Sequence, residues 1–186
     1  MIYQKNRSLF PFEVGLDYYY FNSIKNKTQK LNSTDQTAVH KILMVQIDLL
    51  NILWIYKGKY TYKSSPDEIL SRKFNFGYKL KNTEIESLVK AANIKEFESI
   101  IEKTNYNNLL DNKNTIVPAM FERNMNRIII DNIKNTKSAS IFNAGFILSI
   151  IYLSEFEIKD LISIVECLEY QIPKEEIKSY LINNLN

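Results

Sequence analysis

Cysteine and histidine are almost missing from this chain of 186 residues, which carries only Cys167 and His40. One cysteine cannot close an intrachain disulfide, which fits a reducing compartment. Its setting, ISIVECL, reads as a place for a small buried thiol. Zinc and haem sites need several ligands at suitable spacing. The two residues fall in different halves of the predicted layout, so no metal site is expected. A Ser–His–Asp triad would have to use His40, and no G-x-S-x-G elbow accompanies it. His40 reads as a polar residue on a helix surface or partly buried.

Glycine and proline are scarce too, at four residues each. That argues against a loop-rich or all-β chain. Gly15, Gly58, Gly77 and Gly145 are isolated, so no glycine-rich phosphate cradle is present, and no cofactor is expected. Arginine is rare, with four residues against twenty lysines, and the net charge of +3 is not gathered into a run. A nucleic-acid binder would concentrate such charge. The first residues, MIYQKNRSLFPF, lack an apolar core, so no secretory signal is expected. The most apolar run, 42–56, is shorter than the ~20 residues of a membrane span. It also carries Gln46, Asp48 and Asn51. It reads as a buried helix rather than a membrane span.

Forty-five per cent of the residues are apolar, enough for a sizeable core. They recur mostly at helical spacing, as in Val39, Ile42, Leu43, Ile47, Leu50 and Leu53. Helix starts are marked by Ser65-Pro66-Asp67-Glu68, Thr83-Glu84-Ile85-Glu86, Ser33-Thr34-Asp35-Gln36 and, more weakly, Asn93 with Glu96. The pattern predicts an all-α chain with helices over 12–31, 35–57, 66–72, 83–91, 94–103, 116–135, 141–153, 155–169 and 173–183. The alternating segment 57–63, KGKYTYK, has the pattern of a short extended piece. The Asn- and Asp-rich stretch 105–115 reads as a connector between two helical lobes, 1–104 and 116–186.

One polar pattern occurs twice inside apolar helices. Asp48 and Asn51 lie three apart in QIDLLNILWIY; Glu157 and Asp160 lie three apart in EFEIKDLISIV. Each block is followed by a proline that opens another helix. Such spacing puts both polar groups on one side of a helix. Paired carboxylates could serve acid–base chemistry or hold a divalent metal. The reading favoured here is structural: hydrogen bonds between helices that set packing register, because the copies repeat instead of converging. The Lys/Tyr segment 56–63 has the composition of a stacking platform for single strands. Its alternative is a helix end with lysines near the C-terminal dipole and tyrosines covering the core edge. The cluster DYYYFN at 17–22 reads as core and rim packing.

Taken in order, several runs resemble one family. They are LDYYYFNSI, VQIDLLNILWIYKGKYTYKSSPDEI, FGYKL, a helix pair ending in EKTNY, and FNAGFILSIIYLSEFEIKDLISIVECLEYQIPKEEI. Together they resemble the C/d subunits of V-type and archaeal A-type rotary ATPases, from Leu16 to Leu181. Lys57-Gly58-Lys59 stands where that pattern has Arg-x-Lys, and Asp160 where it usually has asparagine. The resemblance implies helical lobes in pseudo-repeat, part of a three-lobed funnel whose first lobe would lie upstream of Met1. It implies a non-catalytic central-stalk subunit of an ATP synthase or pump, without cofactor or metal. Such a part couples the axle of the soluble head to the membrane rotor ring, for ion transport. It would sit peripherally on the cytoplasmic face. Asp48, Asn51, Glu157 and Asp160 would be structural motif positions. The alternative function is a helical nucleic-acid-binding module using 56–63.

Overall fold

A computed structural model describes residues 9–111, 113–137 and 143–183. The leading residues read for a secretory signal, up to position 8, and the predicted helix start at 141 lie outside the described residues. Among the described residues there are eight α-helices and no strand, so the fold is all-α. The helices are α1 (Phe10–Thr28), α2 (Ser33–Tyr56), α3 (Pro66–Arg72), α4 (Asn82–Lys90), α5 (Ile94–Glu102), α6 (Pro118–Lys137), α7 (Ala144–Glu169) and α8 (Lys174–Tyr180).

The fold is organised around α2, which packs against α1, α4, α6 and α7. Its start differs from the sequence reading by one residue. Asn32, not Ser33, is the cap, and its side-chain oxygen accepts the Asp35 N–H at 3.0 Å. From Ile42 to Ile55 nearly every residue is buried, polar ones included. A helix apolar on all sides must be enclosed, and α2 is. By length and composition α2 with the turn after it, Ser33–Thr61, could cross a membrane, but 78% of its apolar window is buried within the protein. The run 42–56 looked too short for a span because α2 extends well beyond it.

The largest hydrophobic cluster joins α2, α4, α5, α6 and Phe156 of α7. Tyr106, Leu109, Leu110 and Ile116 belong to it, so the segment 105–115 is packed into the same core. A second cluster seats α1 on α2 through Val14, Phe21, Leu43, Ile47 and Trp54, with Phe74 between them. A third is small: Cys167 of α7, Ile177 of α8 and Leu181. The cysteine is buried and unpaired there, as its apolar setting indicated.

Three local readings are corrected. The predicted break at 154 is absent, and α7 runs unbroken for 26 residues. Ser154 and Glu155 are exposed, while Ser149, Tyr152, Phe156 and Asp160 succeed one another on the inner side. A polar turn on the outer face of a helix does not interrupt the inner one. Residues Lys57–Thr61 form a π-helical turn that prolongs α2, not an extended piece. Chain direction changes only after it, at Lys63, where φ is 51°. At α4, Glu84 accepts the Lys81 N–H at 2.7 Å, so the helix begins ahead of Thr83. The capping box at Ser65 and Glu68 and the cap at Asn93 form where the sequence placed them.

Candidate functional site

Asp48 and Asn51 sit one turn apart on α2 and grip the same loop, 74–80. Asn51 Oδ1 accepts the Phe74 N–H at 2.8 Å. Asp48 is 1% exposed. Its carboxylate accepts the N–H groups of Tyr78 (3.1 Å), Lys79 (2.6 Å) and Leu80 (3.0 Å), and the Tyr106 hydroxyl at 2.5 Å. Three consecutive backbone donors and a phenol satisfy the buried acid without a cation. A buried carboxylate left without donors would be costly, and this loop supplies them. Phe74, carried into place by Asn51, stacks on Trp54 at 4.9 Å and on Tyr18 at 5.2 Å.

Gly77 lets the loop come this close. A Cβ at that position would lie 1.9 Å from Asp48 Oδ1. Any side chain there collides with the carboxylate the loop needs.

Asp160 of α7 does the same job elsewhere. It accepts the N–H groups of Ile182 (2.6 Å) and Asn183 (2.9 Å) and the Asn183 side-chain amide (2.8 Å). Arg127 of α6 donates to the carbonyls of Leu181 and Ile182 on the same segment. Each held segment follows a short helix led by a proline, α3 after Pro66 and α8 after Pro173. Glu157, by contrast, is exposed on α7. By its contacts, then, the counterpart of Asp48 is Asp160, not Glu157. The two acids hold different stretches of chain and do not meet in one pocket.

A third buried acid escaped the sequence reading. Glu98 of α5 accepts the Ile116 N–H at 2.7 Å. Asn124 of α6 donates to the Leu109 carbonyl at 3.1 Å. With Tyr106 on Asp48, these contacts pin the stretch 106–116 at three points. Nothing in the sequence marked Tyr106 as a partner of Asp48, 58 residues away. The one available signal near the loop was the isolated glycine in FGYKL.

The Lys/Tyr segment is engaged internally. Tyr56 stacks on Phe121 at 5.4 Å, and Tyr60 meets Phe97 edge-on at 5.7 Å. Lys59 donates to the carbonyls of Val89 and Ala91 at the end of α4, and its burial lowers its pKa. Lys57 pairs with Glu122 of α6 at 3.0 Å. In DYYYFN only Phe21 is core; Tyr18, Tyr19 and Tyr20 form the rim. His40 is exposed on α2. Among the described residues no three of His, Cys, Asp or Glu are placed to hold a metal.

Two tyrosines, the buried Tyr106 and the partly buried Tyr152, tie this architecture to pH. Burial and the Asp48 carboxylate push the Tyr106 hydroxyl far above its ordinary range. Burial pushes Tyr152, which donates to Gln46 Oε1 at 2.8 Å, up to about 12. A raised phenol pKa means that the unfolded chain loses its proton first. The stability it contributes is intact below about pH 10 and is lost as pH rises beyond that. Unfolding free energy is expected to fall above pH 10, each tyrosine adding roughly 1.4 kcal/mol per pH unit to the slope. Urea titrations across this range check it: Tyr152→Phe must flatten the fall, and an unchanged slope would refute the assignment.

Fold and site together define an all-helical packing protein whose buried acids fasten returning chain segments onto long helices. Within that class, the chain belongs to the ATP synthase (C/AC39) subunit family, whose model matches residues 1–180. It is similar to the C subunit of the A-type ATP synthase of Methanocaldococcus jannaschii, at 27% identity over 97% of this chain and 46% of that protein. It is also similar to the C subunit of the A-type ATP synthase of Methanosphaera stadtmanae, at 24% identity over 97% of this chain and 48% of that protein. The chain thus spans about half the length of the curated relatives it matches. No solved structure matches it significantly.

Proposed function

We propose that this chain acts as a non-catalytic coupling part of an A/V-type rotary ATPase. In this reading it stands between the central axle of the soluble head and the membrane rotor ring, peripherally on the cytoplasmic face. Family membership across residues 1–180 is the observation that carries the reading. The helical lobes 1–104 and 116–186, joined by 105–115, would form a continuous body for transmitting torque. Close-packed interiors have low compressibility and transmit strain. The acids that clamp loop ends onto α2 and α7 suit a part that must not yield. Asp48, Asn51 and Asp160 hold register in this reading and carry no chemistry, while Glu157 belongs to the surface.

The test is co-purification. Tagged chain expressed with the axle and ring subunits of its own ATPase is expected to bring both down. A folded chain that retains neither would refute the proposal. The nucleic-acid reading lacks support, because the rings of Tyr56 and Tyr60 pack on Phe121 and Phe97, Lys59 is held at the end of α4 and Lys57 is paired with Glu122 of α6.

A further inference from the structure

We propose that the loop 74–80 and the lysines around it form a docking surface for an acidic segment of a protein partner. This assigns a face and a partner chemistry; it goes beyond the coupling role and does not depend on it. Lys73, Lys79 and Lys81 stand on the loop and at its two ends. Lys25 of α1 joins them, with its ammonium 3.8 Å from the centroid of the Phe76 ring. Among the described residues none of these four lysines pairs with a carboxylate. The Lys73 ammonium bonds neutral groups, Asn75 Oδ1 at 2.8 Å and Asn82 Oδ1 at 3.4 Å. The Lys79 ammonium lies 5.4 Å from the centroid of the Tyr78 ring. Two acids face the patch, Asp48 from beneath the loop and Glu84 at the start of α4. Both accept backbone N–H groups of the stretch 78–81. The lysines outnumber them, so positive charge is left in surplus at the surface.

Stability alone does not account for so closely held a loop. A buried acid adds little over well-packed apolar residues of similar volume. Yet Asp48, Asn51 and Gly77 together fix the path of this one loop. What they fix in place is a set of lysines and Tyr78, which is 45% exposed. A surface already held in one shape binds without the cost of ordering it. A groove of about 350 Å³ runs beside the loop, with Asn75, Tyr78, Lys81 and Asn82 among its lining residues. The chemistry narrows the occupant. Lysines are single point charges and lack the fork with which arginine grips a phosphate. Phe76 is half-buried against Lys25, and Tyr78 is the exposed ring of the loop. The loop therefore lacks the apolar face that a bilayer takes up and the succession of rings on which single strands stack. Carboxylates set among small and apolar side chains match lysines set beside Tyr78, Asn75 and Asn82. Opposite charges across such a contact steer encounter and fix register.

Fluorescence anisotropy on the whole 186-residue chain tests this. The probe is a labelled peptide in which glutamate alternates with alanine and leucine. Saturable binding that weakens as salt rises is expected. Lys73→Gln, Lys79→Gln and Lys81→Gln together are expected to weaken it roughly tenfold, the combined worth of three exposed ion pairs. Removing as many charges elsewhere, by Lys95→Gln, Lys103→Gln and Lys178→Gln at exposed positions, is expected to change the affinity by less than about twofold, because salt screens distant charges. On the parent chain, amide NMR shifts caused by the peptide are expected in 73–81 and at Lys25, a measurement that needs no variant to fold. Absence of saturable binding would overturn the proposal. Equal weakening by the two triple variants would do so too, since net charge alone would then explain the effect. Shifts confined to another face, or tighter binding to phosphatidylserine vesicles or inorganic phosphate than to the peptide, would also overturn it. Co-purification with axle and ring subunits plays no part in these measurements, so the two proposals can fail separately.

Discussion

Replacing Asp48 by alanine is expected to destabilise the protein by about 3–5 kcal/mol, because hydrogen bonds to a charged group each contribute roughly 1.5–3 kcal/mol. Three backbone N–H groups and the Tyr106 hydroxyl lose their acceptor at once. The loop 74–80 and the segment around Tyr106 are both released from α2. Against a total stability of about 5–15 kcal/mol for a domain, such a loss is a large fraction. Asparagine at position 48 keeps one acceptor oxygen and is expected to cost about half as much. Urea unfolding monitored at the single tryptophan, Trp54, reads the change, since Phe74 stacks on it. A midpoint for Asp48→Ala within error of the parent would show that the carboxylate does not hold the loop.

The second large effect is expected at Gly77, a surface position where alanine would ordinarily be harmless. Gly77→Ala brings a Cβ within 1.9 Å of Asp48 Oδ1 unless loop or carboxylate moves. Either movement breaks donors from their acceptor. The cost is expected to be about 2–3 kcal/mol, at the upper end of what overpacking exacts. A double-mutant cycle isolates the cause. With Asp48→Ala in place the clash is gone, so Gly77→Ala should add little and the coupling should reach roughly 2 kcal/mol. Additive costs would mean that the glycine is needed for a reason other than its approach to Asp48.

Both effects concern residues whose roles were unequally visible. Asp48 and Asn51 stood out as polar groups in an apolar helix, and their hydrogen-bonding role was readable from that alone. Gly77 and Tyr106 were not, because their importance lies in contacts across 29 and 58 residues of chain. Of the second polar pair, read as structural at both positions, Asp160 holds chain and Glu157 is exposed. A spacing of three puts Glu157 and Asp160 on the same broad side of a helix, but it does not say where that side meets the core. The inner face of α7 is centred on Phe156 and Asp160, and Glu157 falls outside it. The break predicted at 154 failed for a related reason, since Ser154 and Glu155 face outward and leave the inner stripe whole.

The family was legible in the sequence as a resemblance carried by the order and spacing of several motifs. Determined by sequence alone were the helical class, most helix starts and the enclosure of α2. These follow from local backbone preferences and a 3.6-residue periodicity, which adjacent residues fix among themselves. Tertiary structure decided which acids hold chain and which face solvent. It also packed the segment 105–115 into the core. Those outcomes depend on where distant segments come to rest. A buried carboxylate requires donors but does not specify which part of the chain supplies them.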